Sequence, residues 1–163
     1  MTPMDPRIAE LWSRHGAVVL RRSMQILGNA SDAEEATQEV FLRAAATIVT
    51  LEPRAQTTTW LYKVATNLCL NRLRDARRRQ QLEARHEDVL RPSGSAVDPV
   101  KMLTLRRLLA EADPEQAEAA VLVFVDGLSH AEAAEVLGVS RRTVGNLCER
   151  FVTWGRERLA DSR

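Results

Sequence analysis

Leu61, Val64, Ala65 and Leu68 recur at the i, i+3, i+4, i+7 spacing that lines one face of a helix. This 3.6-residue period returns along most of the 163 residues, and no alternating strand pattern competes with it anywhere. The fold is therefore expected to be all-α. Within the stretch Thr57 to Arg79, three threonines stand where the helix would be capped, and a second set of residues follows the same period on the other side. Lys63, Asn67, Asn71, Arg74 and Arg78 fall within an arc of roughly 80°, with Trp60 on the same side at the start. Cations neutralise phosphates, carboxamides pair with base edges, and an indole offers a stacking surface. That face suits nucleic acid, although for this helix alone a plain solvated basic face with Trp60 in the core is the default reading, and the rest of the chain must decide.

The net charge is only +1, so composition by itself announces no polyanion partner. The distribution is more informative. Residues 72 to 79 carry five arginines against Asp75, a net +4, whereas residues 32 to 39 carry Asp32, Glu34, Glu35 and Glu39 and no base, a net −4. Between Arg107 and Arg141 stand seven acids and no Lys or Arg. The two cysteines, Cys69 and Cys148, and the three histidines, His15, His86 and His130, have no metal-ligand or disulfide spacing, so no metal or cofactor is expected. No apolar signal core or membrane-length run occurs, which predicts a cytoplasmic protein without membrane insertion.

In chain order, Asp5 and Pro6 open a helix that Gly28 ends, with Ile8, Leu11, Trp12, His15, Val18 and Val19 on its apolar side. Ser31-Asp32-Ala33-Glu34 spells a capping box for a second helix, with Ala33, Ala36, Val40, Phe41, Ala44 and Ile48 inward and Glu35, Gln38, Glu39 and Leu42 outward. Leu51 to Gln56, with Pro53, predicts a loop before the central helix. A polar stretch with Pro, Gly and Ser over about 81–100 reads as a connector, and helical periodicity resumes from Val100 to Ala110. Asp113-Pro114-Glu115-Gln116 caps the next helix, whose apolar body runs through Val121, Leu122, Phe124, Val125 and Leu128 to Gly127 as terminator.

The most specific local signal is the segment from Leu128 to Leu159. Ser129-His130-Ala131-Glu132 is a capping box, Gly138 permits a tight turn, and Ser140 caps a second helix burying Val144, Leu147, Cys148 and Phe151. Small Ala134 allows close approach, and Val139 with Val144 is expected to fill the wedge. This is a helix-turn-helix. Its second helix would present Arg141, Arg142, Thr143, Asn146, Glu149 and Arg150 to a major groove.

Together these segments resemble bacterial sigma-70-type factors of the extracytoplasmic-function (ECF) group, over nearly the whole chain. DAEEATQEVF at Asp32 to Phe41 resembles the family's core-polymerase-binding segment. TWLYKVATNLCLNRLR at Thr59 to Arg74 resembles its minus-10 recognition and melting segment, and residues 128–159 resemble its minus-35-binding unit. The resemblance implies two small helical domains joined by a flexible linker: a sigma-2-like domain at 1–80, a linker at 81–108 and a sigma-4-like domain at 109–163. It also implies that Asp32, Glu35, Gln38, Glu39 and Phe41 meet the clamp helices of the largest subunit of core RNA polymerase. Trp60, Lys63, Asn67, Asn71, Arg74 and Arg78 would then contact and melt the minus-10 element, helped by the loop around Leu51 to Thr58. The helix-turn-helix residues would read the minus-35 element. Promoter DNA, duplex and melted, is thus an implied partner, and an anti-sigma factor another; the protein would not itself be an enzyme.

The sequence departs from the family pattern where Gly145 and Leu147 replace basic residues and Glu149 an aromatic or aliphatic one, and where Ala112 to Ala117 is unusually acidic. Promoter sequence does not transfer across these changes. Two rivals remain from the residues alone: a stand-alone helix-turn-helix regulator, and an adaptor that binds only protein. Salt dependence of DNA binding separates them.

Overall fold

The computed structural model describes residues 5–47, 54–82 and 99–162. Among these are seven α-helices, α1 (Pro6–Leu27), α2 (Ala30–Thr47), α3 (Arg54–Leu82), α4 (Pro99–Glu111), α5 (Pro114–Ala120), α6 (His130–Leu137) and α7 (Arg141–Asp161), and no strand. A short π-helical stretch, Val121–Val125, continues α5. None of these helices is long and apolar enough to cross a membrane.

Local chemistry accounts for most boundaries. Asp5 accepts the Arg7 N–H ahead of Pro6, and Gly28 closes α1 in the left-handed region at φ 72°. The capping box expected at Ser31 is instead displaced two residues: the Asn29 carboxamide accepts the Asp32 N–H at 3.1 Å, and α2 begins at Ala30. The cap expected from Thr57 to Thr59 is also moved, since α3 already runs from Arg54 and the threonines lie inside it. Of the predicted Leu51–Gln56 loop, residues 54–56 are helical, while Ile48 and residues 51–53 lie outside the described residues, as does the connector from 83 to 98. Periodicity had placed the next helix at Val100 to Ala110, and α4 spans it.

Asp113 caps α5 by accepting the Glu115 and Gln116 N–H groups, and Ser129 with Glu132 forms the complete capping box of α6, an arrangement that stabilises by about 1 kcal/mol. The π stretch was not foreseen. It leaves Phe124 half exposed beside Phe151 and delivers Asp126 directly after its last residue.

α1, α2 and α3 form an N-terminal bundle around Ile26, Val40, Leu61 and Leu70. A second cluster, with Leu122, Ala133, Val144 and Leu147, fills the helix-turn-helix. Val144 is fully buried there, but Val139 is 39% exposed, so the wedge is filled without it. The two units are continuous: Leu108, Leu109, Ala117, Val121 and Phe151 belong to the same core as the N-terminal bundle, α4 and α5 lie against α3, and α6 also touches α3.

Candidate nucleic-acid interface

The α7 surface is set by its cap. Ser140 accepts the Thr143 N–H at 3.1 Å, and the two hydroxyls share a hydrogen bond of 2.8 Å, so Thr143 is engaged in holding the helix start. Arg141, Arg142, Asn146, Glu149 and Arg150 are all exposed. Asn146, Glu149 and Arg150 line an open groove of about 650 Å³ shared with Asp113 and Gln116. Gly145 faces inward: a Cβ there would meet His130 Nδ1 at 3.6 Å, which puts its bare backbone against the start of α6. Leu147 is core.

On α3, Lys63, Asn71 and Arg78 are exposed and Asn67 and Arg74 half-buried. Arg74 donates from Nη1 to Asn71 Oδ1 at 3.1 Å, while its Nη2 is buried with no hydrogen-bond partner among the described residues. Trp60 is half-buried against the N-terminal core. Burial pushes the carboxyl of half-buried Glu118 on α5 above the ordinary range, against the opposing pull of the Lys63 and Arg74 charges.

The α2 surface carries exposed Asp32, Glu35 and Gln38 and half-exposed Glu39. Its acids are partly neutralised from within the fold. Arg72 of α3 donates to Glu35 at 3.3 Å and to Glu39 at 3.1 Å, and Arg43 reaches Glu39 at 2.6 Å; the hydrogen bond from Arg72 leads in holding the Glu39 carboxyl low. Phe41, expected on this docking surface, is not available to a partner: it is 4% exposed with its ring 4.7 Å from that of Trp12. Helical phase explains the correction, since Phe41 follows Val40 on the inward side and Leu42, 71% exposed, takes the outward place.

Sequence reasoning missed a set of ion pairs. Arg22, 3% exposed in α1, donates from Nε and Nη2 to the Thr66 hydroxyl at 3.1 and 2.5 Å, lies 4.7 Å from the Tyr62 ring centroid, and pairs through Nη1 with Asp126. Glu111 is surrounded by Arg77, Arg107 at 3.4 Å and Arg158 at 2.6 Å. Burial alone would raise the Glu111 carboxyl, but the Arg158 hydrogen bond and the Arg77 charge hold it low. Of these only Arg107–Glu111 has a local i, i+4 signature; the other ion pairs join residues far apart in the chain, Arg22 with Asp126, Arg77 with Glu111 and Arg158 with Glu111.

Residues 11–79 match the family described as Sigma-70 region 2, and residues 102–150 match Sigma-70, region 4. The ECF RNA polymerase sigma factor SigM of Mycobacterium tuberculosis is 30% identical over 151 residues, covering 93% of this chain and 74% of that protein. The chain belongs to the ECF RNA polymerase sigma factors. SigE of Mycolicibacterium smegmatis is 33% identical over 163 residues, covering 96% of this sigma factor but 61% of the relative's own length. Among solved structures, the sigma factor RpoE of Bartonella quintana, in complex with the anti-sigma factor NepR, shares the fold at a TM-score of 0.57, with 17% identity and coverage of 98% of this chain and 100% of that one. Region 2 therefore takes in α3 and α2, and region 4 takes in the helix-turn-helix.

Proposed function

We propose that this sigma factor binds bacterial core RNA polymerase, reads minus-35 and minus-10 promoter elements, promotes melting and starts transcription of a specific gene set. One observation carries the reading. Behind the Ser140 cap and the left-handed Gly138 turn, α7 holds Arg141, Arg142, Asn146 and Arg150 exposed, as a helix entering the major groove by its N-terminal residues requires.

In the proposed division of labour, residues 109–163 hold the minus-35 duplex, residues 1–80 hold polymerase and the minus-10 element, and 81–108 join them. Lys63 and Arg78 supply phosphate contacts, Asn67 and Asn71 base-edge hydrogen bonds, and Trp60 a wall beside an extruded base. Unstacking costs a few kcal/mol per step, so capture of flipped bases by binding energy suffices to trap the open strand. Polymerase docks on Asp32, Glu35, Gln38 and Glu39 around the exposed Leu42. An anti-sigma factor is the proposed regulator, by analogy with the RpoE relative.

The test is run-off transcription with purified bacterial core polymerase on genomic fragments of the source organism. Discrete start sites appearing only when this chain is added support the reading; binding to polymerase with no start sites would favour an adaptor. For region 4 alone, Arg141 and Arg150 on phosphates predict that duplex affinity falls with salt at a log–log slope of about −1.8. A flat salt response would remove the DNA role. Replacing Gln38 and Glu39 by Ala is expected to weaken polymerase binding about tenfold, as loss of one or two interfacial anchors does, with duplex binding unchanged. Unaltered polymerase affinity would discard the α2 docking face.

A further inference from the structure

Arg74, Arg77, Arg78 and Gln81 stand at i, i+3, i+4 and i+7, so they share one stripe along the last turns of α3. Tertiary packing brings two more elements to that stripe. The end of α4 contributes Ala110 and Glu111, the last turns of α7 contribute Arg158, and together they border an open cleft of about 360 Å³. Its lining sets four arginines against one carboxylate, 4 − 1 = +3. Ala110 is the single apolar residue of the lining and no ring takes part in it, so nothing there suits an apolar or aromatic ligand body.

Glu111 does not neutralise this lining. Its Oε1 pairs with Arg77 and, at 3.4 Å, with Arg107, and its Oε2 pairs with Arg158 at 2.6 Å, so one negative charge is shared among three guanidinium groups. Arg74 and Arg78 have no ion pair among the described residues. The charges of Glu118 and Asp161 act on Arg74 and Arg158 only from beyond ion-pair distance. Arg74 also keeps an Nη2 without an acceptor among the described residues. What Glu111 supplies is direction: it holds Arg158 through Nε and Arg77 through Nη2, and since a guanidinium carries five N–H donors, both retain donors for a further oxyanion. Side chains already held in place lose less freedom when a ligand arrives.

We propose that this cleft is a binding site for a compact polyanion of the pyrophosphate class, held by Arg74, Arg77, Arg78 and Arg158, with Glu111 pre-positioning Arg77 and Arg158. Guanidinium is planar and always charged, and its paired N–H donors match pairs of phosphate oxygens. The layout favours a small anion over a nucleic-acid backbone. Phosphates of a strand follow one another along a line, whereas these cations converge on one recess from α3 and from α7. A pyrophosphate group reaches such a site either free or as the tail of a nucleotide, and a lining without a ring gives a base nothing to stack on.

Isothermal titration calorimetry of the full chain with inorganic pyrophosphate, in magnesium-free buffer at fixed ionic strength, is expected to show a single saturable site, with sulfate binding more weakly. Adenosine diphosphate distinguishes the sources: it is expected to bind no more tightly than pyrophosphate, and a clear gain would uphold the site while assigning it to a nucleotide. Arg158→Ala is expected to weaken pyrophosphate binding about tenfold, as loss of a charge-assisted hydrogen-bond donor does. Arg78→Ala, at an exposed residue with no ion pair to lose, is expected to do the same and keeps the test open if Arg158→Ala fails to fold. Arg156→Ala removes an equal charge from α7 outside the cleft and is expected to leave binding unchanged. No saturable binding at millimolar pyrophosphate, wild-type affinity in either cleft variant, or an equal loss in Arg156→Ala overturns the site. A short DNA single strand whose binding depends on Arg158, and which pyrophosphate does not displace, would overturn it in favour of nucleic acid.

Discussion

Replacing Arg142 and Asn146 together by alanine is expected to lower affinity for a minus-35 duplex by at least about thirtyfold, because each base-edge pairing contributes about 1–3 kcal/mol. Both side chains are exposed on the first two turns of α7, and neither takes part in the Ser140 cap or the buried seam of Val144, Leu147 and Phe151. Thermal stability should therefore be nearly unchanged, within about 0.5 kcal/mol. The measurement is a titration of the duplex whose minus-35 element emerges from the run-off start sites, repeated on a scrambled duplex. Loss on both duplexes alike, with a salt slope reduced by about 1 for Arg142→Ala, would reassign Arg142 to a phosphate. Unchanged affinity would remove α7 as the reading helix. Core polymerase binding is expected to be unaffected.

The largest structural effect is expected at Gly28. Its φ of 72° already disfavours any side chain by about 1–2 kcal/mol. A Cβ there would also stand 2.5 Å from Cζ of Arg106 and 2.7 Å from its Nη1. The guanidinium is the far end of a flexible chain and can move, but it donates from Nε to the Ile26 carbonyl and from Nη2 to the Gln25 carbonyl, both at 3.1 Å. Gly28→Ala therefore displaces Arg106 from the carbonyl end of α1, where a cation is favoured. Hydrogen bonds of this charged kind contribute about 1.5–3 kcal/mol when lost, so the total cost is expected near 3 kcal/mol in chemical denaturation. A double-mutant cycle checks the cause: in an Arg106→Ala background the same Gly28→Ala change should cost only its backbone part, about 1–2 kcal/mol. A cost unaltered by that background would exclude Arg106 from the account.

Both variants act on features that differ in how far they can be read from sequence. The helix-turn-helix was legible almost residue by residue, because Ser129, Glu132, Gly138 and Ser140 act on backbone groups within four positions of themselves. The inward face of α2 was legible from its period, Phe41 included; it was the family resemblance that set Phe41 on the docking surface, whereas its ring packs inward against Trp12. Caps were misplaced at α2 and α3 because several residues in a row can cap: Asn29 competes with Ser31, and the extension of α3 back to Arg54 passes over all three threonines. Gly145 carried no sequence signal of its neighbour, His130, which lies on another helix.

The amino-acid sequence by itself determined the helices, their order, the helix-turn-helix and the family to which they belong, since these rest on hydrogen bonds and apolar spacing confined to one or two helical turns. Only the tertiary structure decided that Arg72 tempers the acids of α2, that Glu111 gathers three arginines and that Arg22 finds its counter-charge in Asp126. Charge attraction has no periodicity along a chain. Which acid meets which base is settled when apolar surfaces close, and here that closure set α4, α5 and α6 against α3.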